Sequence, residues 1–338
     1  MKLLLCWPSA EFSIFDVANG LKNALENKGH EVVDYKLYNR IKIMALGARA
    51  ITPEDKDIDL ESVMLLAAEG LLYKTVVNDC RWVFIVSGMG LHPNGVVALK
   101  RVGIKVATWF TESPYDDNEF DFAKLCDVAF INERTSIDEF KIYCNNVSYL
   151  PHSYNPAVHF PVQSEKTIDV LFVGTGFDNR QGILEQVDFT GINFQLGGLW
   201  NGISEPSHLS KYLKYPCIDN SELVKLYHQT KIALNIHRWH ENAESCNPRV
   251  FEVAACGIFQ VSDYRKEIED IFGNSIPLYE RGNPIELASM LRYYLAHDQE
   301  REFKARVALK KVKEFTFDNN IKTIMDVIEN SSKFSLVS

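Results

Sequence analysis

The sequence predicts an α/β protein of two domains, each built on a parallel sheet with helices on both faces. Short, continuous apolar runs alternate with amphipathic stretches along the chain, as expected for strands that are buried on both faces of a sheet. This pattern breaks near residues 151–167 and then starts again, which indicates a domain boundary. A length of 338 residues also suits about two domains.

The first half of the chain contains six predicted strands separated by helices. Strands are predicted at residues 2–6, 31–34, 82–86, 104–110, 127–131 and 147–150, and helices at residues 14–25, 60–77, 94–101 and 133–143. The strands are apolar and rich in β-branched and aromatic residues, while the helices carry apolar residues at a spacing of three and four.

The second half repeats the pattern. Strands are predicted at residues 168–173, 192–196, 231–236 and 259–262, and helices at residues 220–229, 248–257, 287–296, 300–313 and 319–328. We therefore expect an N-terminal domain over residues 1–155 and a second domain over residues 165–316. The last segment, residues 317–338, is expected to form a helix that packs back on the N-terminal domain.

Composition restricts the possible functions. A formal net charge of −9 argues against a dedicated basic nucleic-acid surface. Seven cysteines, an odd number with no C-x-x-C spacing, are typical of a reducing compartment. No apolar run approaches about 18 residues, and the apolar start is soon broken by Pro8. We expect a cytoplasmic protein without stable membrane insertion.

Polar residues follow several predicted strands of the first domain, where open parallel sheets bind ligands. The candidates at these strand ends are Ser9, Glu11, Ser13, Gly88, His92, Glu112 and Asp116. Glu112 and Asp116 come directly after a buried strand and are candidate catalytic carboxylates. Asp116 could instead cap the next helix, and His92 could cap its own helix or pack within the loop.

In the second domain, the sequence G-T-G at Gly174, Thr175 and Gly176 follows a predicted strand. Such a turn lets the backbone approach a phosphate, although the third glycine of a dinucleotide fingerprint is missing. Arg180 follows at a distance suited to a diphosphate, but could also be a surface residue at a helix start.

The stretch ESCNPRVFEVAACG, residues 244–257, places two carboxylates around a predicted helix start at Pro248. The N–H groups and the dipole of a helix N-terminus bind anions without a dedicated cation. Glu252 lies about one turn into this helix, near any ligand bound there. The alternatives are a capping role for Glu244 and an ion pair between Glu252 and Arg249.

Several segments together resemble the CgeB-type (spore-maturation-like) glycosyltransferases, whose C-terminal domain belongs to the "glycosyl transferases group 1" class. The similar segments are WFTESPYD at residues 109–116, LPHSYNP at 150–156, DVLFVG at 169–174 and RVFEVAACG at 249–257. The resemblance implies a GT-B-like fold, with two Rossmann-like domains whose parallel sheets face an inter-domain cleft. It also implies a nucleotide-diphosphate-sugar co-substrate, with a UDP-sugar as the expected donor, and no other cofactor.

The resemblance also implies roles for individual residues. Related retaining enzymes use a Glu-x7-Glu motif, and Glu244 and Glu252 have this separation. Glu244 would contact the donor sugar and Glu252 the ribose hydroxyls. The donor-binding set it implies is Gly174, Thr175, Gly176, Arg180, His237, Arg238, Cys246, Asn247, Arg249 and Glu252. The chain departs from the family at residues 245–247, where Phe-Gly is usual, and at Thr111 or Glu112, where many relatives have a histidine.

The predicted activity is sugar transfer to an acceptor hydroxyl, retaining and metal-independent. The H-x-x-H spacing of His237 and His240 lacks the further ligands of a zinc site. The acceptor is left open between a polysaccharide, a metabolite, a protein and a hydroxymethylated DNA base of the kind some phages modify. A DNA substrate would require a basic face, for which the candidates are Lys100, Arg101, Lys105, Lys211 and Lys214.

Two other functional classes agree less well with the sequence. A GT-B-like binding or structural protein could keep the fold and lack turnover. An NAD-dependent oxidoreductase would need the complete glycine fingerprint and an acidic residue about 20 positions further on, and the first predicted strand has neither.

Overall fold

The computed structural model of the protein describes residues 1–8, 13–200, 207–216, 218–238 and 242–334. The chain divides into two compact units, one formed by Met1–Pro151 with Phe317–Ser338 and the other by His152–Thr316. Each unit contains one six-stranded sheet among these residues. All strand pairs are parallel. Two α/β units with parallel sheets are what the sequence predicts.

The sheet of the first unit has the strand order β2-β1-β3-β4-β5-β6. Its strands are β1 (Lys2–Trp7), β2 (Glu31–Lys36), β3 (Trp82–Val86), β4 (Lys105–Phe110), β5 (Val128–Ile131) and β6 (Val147–Tyr149). The helices that precede β6 are α1 (Ser13–Asn27), α2 (Leu37–Ile51), α3 (Leu60–Val77), α4 (Pro93–Arg101), α5 (Asp117–Ala123) and α6 (Ile137–Tyr143). The central strand β3 is buried along its whole length, because helices cover both faces of the sheet.

The sheet of the second unit has the order β12-β11-β10-β7-β8-β9. Its strands are β7 (Ile168–Val173), β8 (Phe194–Gly197), β9 (Leu213–Tyr215), β10 (Thr230–Asn235), β11 (Gln260–Asp263) and β12 (Leu278–Tyr279). Its helices are α7 (Asp178–Leu184), α8 (Asn220–His228), α9 (Pro248–Ala255), α10 (Lys266–Phe272), α11 (Pro284–Ala296) and α12 (Asp298–Val312). The strands β7 and β10 pair at the centre, so the loops that follow them lie side by side.

The final helix, α13 (Phe317–Phe334), belongs to the first unit. Its apolar side chains Phe317, Ile321 and Ile324 are buried in one cluster with Leu21 of α1 and Leu3 of β1. Gly20 makes this packing possible, because a Cβ at that position would come within 2.2 Å of the Phe317 ring.

Helix α2 is absent from the sequence-based prediction. It begins without a side-chain cap after Lys36 and buries Leu37 alone among its residues. Its apolar residues lie on two faces of the helix instead of one, so the amphipathic pattern used to find helices is missing. The sequence pattern also does not predict the short edge strands β9 and β12. They have only three and two residues, too few to show an alternating pattern.

Candidate functional site

The loop after β7 contains the predicted glycine turn, and its backbone is held by the helix that follows. Arg180 of α7 donates from Nη1 to the Thr175 carbonyl at 2.9 Å and from Nε to the Ile236 carbonyl at 2.8 Å. Gln181 donates to the Gly176 carbonyl at 2.8 Å. Arg180 therefore joins the loop after β7 to the loop after β10, and it is buried while doing so.

A second guanidinium group reaches the same loop from α9. A Cβ placed on Gly174 would lie 3.1 Å from Nη1 of Arg180 and 3.4 Å from Nη1 of Arg249. The Nε of Arg249 donates to the Tyr227 hydroxyl at 3.2 Å, which orients the rest of the guanidinium toward Gly174. A larger residue here would press against both cations and against the Phe172 ring.

The two arginines affect each other electrostatically. Burial, and after it the positive charge of Arg249, lowers the pKa of Arg180 to about 10. Neither arginine forms an ion pair with any residue that the structure describes. Two neighbouring cations that form no ion pair favour the binding of an anion.

Helix α9 begins next to these arginines. Its N-cap residue, Asn247, makes no side-chain capping hydrogen bond, and Pro248 occupies the first turn. The Asn247 amide pairs instead with the Asn235 amide through two hydrogen bonds of 2.9 and 3.1 Å. The N-terminus of α9 is therefore uncapped and fixed to the end of β10, a combination that suits anion binding.

Glu252 is buried one turn into α9. Its carboxylate accepts no hydrogen bond and forms no ion pair within the described part of the chain, so the predicted alternative of an ion pair with Arg249 is not what the structure shows. The negative charge of Glu252 affects a neighbouring group. The pKa of the Cys256 thiol is raised to about 12, mainly by burial and secondly by the charge of Glu252. A buried carboxylate without a partner is costly and is more often retained for a ligand than for stability.

The segment between Glu244 and α9 is tied to α10. The Cys246 N–H donates to Oε2 of the buried Glu267 at 2.6 Å, and the Glu267 N–H donates to the Glu244 carbonyl at 3.1 Å. The Cys246 N–H is therefore occupied and does not support the expected phosphate contact at that residue. Glu244 itself is half-buried immediately before this segment.

His237 and Asp263 form a buried pair at the ends of β10 and β11. The ring Nδ1 lies 2.6 Å from Oδ1 of Asp263, which also accepts the His237 N–H at 3.0 Å. Burial lowers the pKa of His237 below its ordinary value of 6.5, so the ring is neutral and donates from Nδ1. Its Nε2 atom is buried and has no hydrogen-bond partner among the described residues. The exposed Arg238 lies with its guanidinium carbon 5.6 Å from the Phe177 ring.

This pair predicts a pH dependence of stability. Because the folded pKa of His237 is depressed, its contribution is present above about pH 6.5 and is lost as pH falls, with a limiting slope of about 1.4 kcal/mol per pH unit. Urea unfolding at pH 7.5 and pH 5 measures the loss. We expect His237→Asn, whose amide can still donate to Asp263, to lose less stability over this interval, and an equal loss in both proteins would contradict the assignment.

In the first unit, the structure gives capping roles to some of the predicted acceptor-side residues. His92 is the N-cap of α4, and its Nδ1 accepts the Asn94 N–H at 3.2 Å. Gly88 has a φ of 76° in the loop after β3, a conformation that glycine adopts without strain. Ser9 and Glu11 lie outside the described residues, and Ser13 is known only as the first residue of α1.

The two predicted catalytic carboxylates of the first unit have different surroundings. Asp116 is the N-cap of α5 in a capping box with Glu119, and its side chain accepts the Asn118 N–H at 2.8 Å. This is the structural alternative considered from the sequence, and it leaves Glu112 as the stronger catalytic candidate. Glu112 is exposed after β4, where the Thr111 hydroxyl lies 3.4 Å from its Oε1.

Substitution of Asp116 separates a capping role from a catalytic one. Asp116→Asn preserves an N-cap acceptor, so we expect turnover within about twofold of the wild type, whereas Asp116→Ala should lower the free energy of unfolding by about 1 kcal/mol. Urea unfolding and steady-state rates test both variants. A loss of kcat in Asp116→Asn without a change in stability would instead identify a reacting carboxylate.

Sequence reasoning missed the role of Arg265. This side chain is buried and donates to the Ala243 carbonyl at 2.6 Å and to the Arg238 carbonyl at 2.7 Å. It therefore fixes two points of the connection between β10 and α9. Arg265 lies within the sequence YRKE at positions 264–267, but the burial of this arginine is visible only from its folded neighbours.

Two features are absent from the described residues. No group of three or more His, Cys, Asp or Glu side chains in this part of the chain is arranged to hold a metal ion. Within the same residues, no helix is both long enough and apolar enough to cross a membrane.

Comparison with known proteins places the chain beside glycosyltransferases. Residues 180–326, which include Arg180, His237 and Glu252, match a family described as "Glycosyl transferase-like". The chain is 27% identical over 242 residues to the spore protein CgeB of Bacillus subtilis, an alignment that covers 65% of this chain and 74% of that protein. The predicted resemblance to CgeB-like glycosyltransferases is confirmed. Sugar transfer is the class of activity that these matches support.

Solved structures show the same fold. Sucrose-phosphate synthase from Thermosynechococcus elongatus matches with a TM-score of 0.70 and 10% identity, covering 100% of this chain and 99% of that one. A structure described as "Trehalose-6-phosphate from E. coli bound with UDP-2-fluoro glucose" matches with a TM-score of 0.63 and 11% identity over 97% and 99% of the chains. A third structure concerns glycosyl transfer with retention by trehalose-6-phosphate synthase. It matches with a TM-score of 0.62 and 11% identity, covering 97% of this chain and 99% of that one. The predicted GT-B-like fold class is confirmed.

Proposed function

We propose that this protein transfers a sugar from a nucleotide-diphosphate-sugar, with a UDP-sugar as the donor, to an acceptor hydroxyl with retention and without a metal ion. The observation that carries the proposal is the convergence of Arg180 and Arg249 on the backbone of Gly174. A diphosphate placed over this glycine would receive two guanidinium groups that have no carboxylate partner in the described part of the chain. Such a site can neutralise a leaving group whose negative charge grows during the reaction.

The uncapped start of α9 adds to this electrostatic field. The N-terminus of α9 carries a partial positive charge, and Asn247 is held in place by the paired amide of Asn235. A diphosphate between α9 and the Gly174 loop would accept backbone N–H groups as well as guanidinium donors. These groups supply, from the protein itself, the positive charge that a bound cation would otherwise provide.

Glu252 is proposed to hold the ribose. A carboxylate accepts two hydrogen bonds from neighbouring hydroxyl groups, and the two hydroxyls of a ribose suit this geometry. The absence of a described protein partner for its carboxylate supports this assignment, because a ligand would then satisfy an otherwise unfavourable buried charge. Glu252 and the N-terminus of α9 lie one helical turn apart, a separation that allows one nucleotide to contact both.

Glu244 is proposed to contact hydroxyl groups of the donor sugar. It precedes α9 on a segment that Glu267 and Arg265 fix through backbone hydrogen bonds. Retention is proposed from the matching separation of Glu244 and Glu252 and from the retaining reaction named for the similar trehalose-6-phosphate synthase structure. The UDP moiety is proposed from the UDP-sugar named for the E. coli structure.

The acceptor hydroxyl must lose a proton during the transfer. Glu112, exposed at the end of β4, and the departing phosphate are the two groups proposed to receive it. Two of the lysines named for a DNA substrate, Lys100 and Lys105, do not favour that acceptor, because they lie 3.8 and 3.3 Å from Asp127. Asp127 neutralises part of the proposed basic face.

Nucleotide binding provides the first test. UDP, GDP and TDP, each with and without a hexose, are compared by isothermal titration calorimetry in the presence of EDTA. We expect UDP and its sugars to bind, and a rise in melting temperature to accompany binding. Retention is read from the anomeric signal of the transferred sugar by NMR. If no nucleotide binds and no sugar is released from any donor, the proposed function is wrong.

A further inference from the structure

Helix α2 presents an apolar face to solvent. Ile43, Leu46, Gly47 and Ala50 follow the spacing of one helical face and are exposed, with Leu46 at 72% and Ile43 at 55%. The opposite side of α2 packs on the first unit, where its Tyr38 and Ile41 contact the core. A surface helix normally directs charged residues outward, so α2 has one apolar face more than the packing of its own unit requires.

The neighbouring helix α3 also has exposed apolar residues. Leu66, Tyr73 and Val77 of α3 are also exposed, Tyr73 at 70%. The two helices pack against each other as a pair. Large exposed apolar surfaces are rare on monomers and mark contacts with another molecule.

The charged residues of α2 and of the connection after it indicate which partner fits this surface. The sequence LYNRIKIMALGARAI of α2 contains no acidic residue; its first half carries Arg40 and Lys42, and Arg49 in its last turn donates to backbone carbonyl groups of the connection that follows. That connection carries the exposed acidic residues Glu54, Asp55 and Asp57 around a single lysine, Lys56. Lys42 and these three acidic residues form no ion pair with any described residue. A basic beginning and an acidic continuation are therefore available on the same surface.

We propose that the outer face of α2 is the contact surface for a second copy of this chain, with the two α2 helices antiparallel across a two-fold axis near Gly47. An antiparallel pair places the first half of one helix against the second half of the other. Over the 15 residues of α2, about 22 Å, Arg40 and Lys42 would face the acidic connection of the second copy. A Cβ on Gly47 would meet nothing within 4 Å, so the two backbones can approach closely at the axis.

An anionic membrane surface is the alternative occupant of a basic amphipathic helix. The acidic residues Glu54, Asp55 and Asp57 argue against it, because they lie directly after α2 and would be repelled by anionic lipid. In a dimer the same residues meet the opposite charge. The observed charges therefore favour a second copy over a membrane.

Sedimentation equilibrium of the full chain over a concentration series tests the proposal. We expect the wild type to dimerise and Leu46→Glu to raise the dimer dissociation constant by about 100-fold or more, because the substitution buries two facing carboxylates at the axis. The matched control is Ile142→Glu on α6, an exposed apolar residue at 76% outside this surface, which should leave dimerisation unchanged. Circular dichroism confirms that each variant is folded.

A charge exchange provides an independent measurement. Replacing Arg40 and Lys42 with glutamate, or Glu54 and Asp55 with lysine, should each weaken the dimer, and the combination of all four should restore it. A monomeric wild type, a dimer that Leu46→Glu leaves intact, or a charge exchange without restoration would each overturn the proposal. Binding of a monomeric wild type to phosphatidylserine vesicles, lost in Leu46→Glu, would assign the surface to a membrane instead and would also overturn it.

Discussion

Replacement of Arg249 with alanine is expected to lower kcat/KM for the donor by about 100- to 1,000-fold, the range for loss of one preorganised donor to a developing anion. Arg249 approaches Gly174 while its Nε is held by the Tyr227 hydroxyl, so its position is fixed before the donor binds. Most of the loss should appear in kcat, because the negative charge on the diphosphate increases as the glycosidic bond breaks.

Two further variants make this result specific. Arg249→Lys keeps the charge and loses the fixed geometry, so an intermediate rate is expected. Arg306→Ala removes an exposed arginine of α12 whose only described ion pair is a 3.9 Å contact with Glu302, and it should not change the rate. If Arg249→Ala turns over the donor as fast as Arg306→Ala, the diphosphate does not bind at Gly174.

Replacement of Glu252 with alanine is expected to weaken nucleotide binding by about 100-fold. The loss of two hydrogen bonds from hydroxyl groups to a charged acceptor accounts for about 3 kcal/mol. Calorimetric titration with the nucleotide diphosphate measures it. Unchanged affinity would contradict the ribose assignment.

The stability of a second Glu252 variant distinguishes a ligand contact from a structural one. Glu252→Gln removes a buried charge that has no described partner, so we expect the free energy of unfolding without nucleotide to stay the same or to rise. Glu267 is the matched control, because it is also a buried glutamate of the second unit but accepts the Cys246 N–H. Glu267→Ala should lose about 2 kcal/mol. Similar losses in both variants would assign Glu252 to the framework of the protein.

The parts of the fold that the sequence predicts well are those encoded by local patterns. The helix predicted at residues 60–77 coincides with α3, whose first turn is capped by Asp59, and the buried strand at Trp82–Val86 is β3. Helix α2 was missed because its outward apolar face hides the amphipathic pattern. The reason proposed for that face is a second molecule that covers it, and this information is not local to the segment.

The candidate site was predictable to a smaller extent. The spacing of Glu244 and Glu252 and the glycines after β7 are visible in the sequence, and the D-x-x-E pattern of Asp116 and Glu119 indicates a capping box. The approach of Arg249 to Gly174 and the use of the Cys246 N–H by Glu267 depend on how α7, α9 and α10 pack. Sequence spacing identifies which residues are near a helix start, but not which of their atoms remain available to a ligand.

The position of α13 has a consequence for synthesis of the protein. The first unit needs Phe317, Ile321 and Ile324 to complete its apolar cluster with β1 and α1, whereas the second unit is continuous from His152 to Thr316. Residues 1–151 leave the ribosome first, yet their apolar surface stays incompletely covered until α13 has been made. The second unit can therefore reach its final structure on the ribosome before the first, reversing the N-terminal-first order that is usual for multidomain chains.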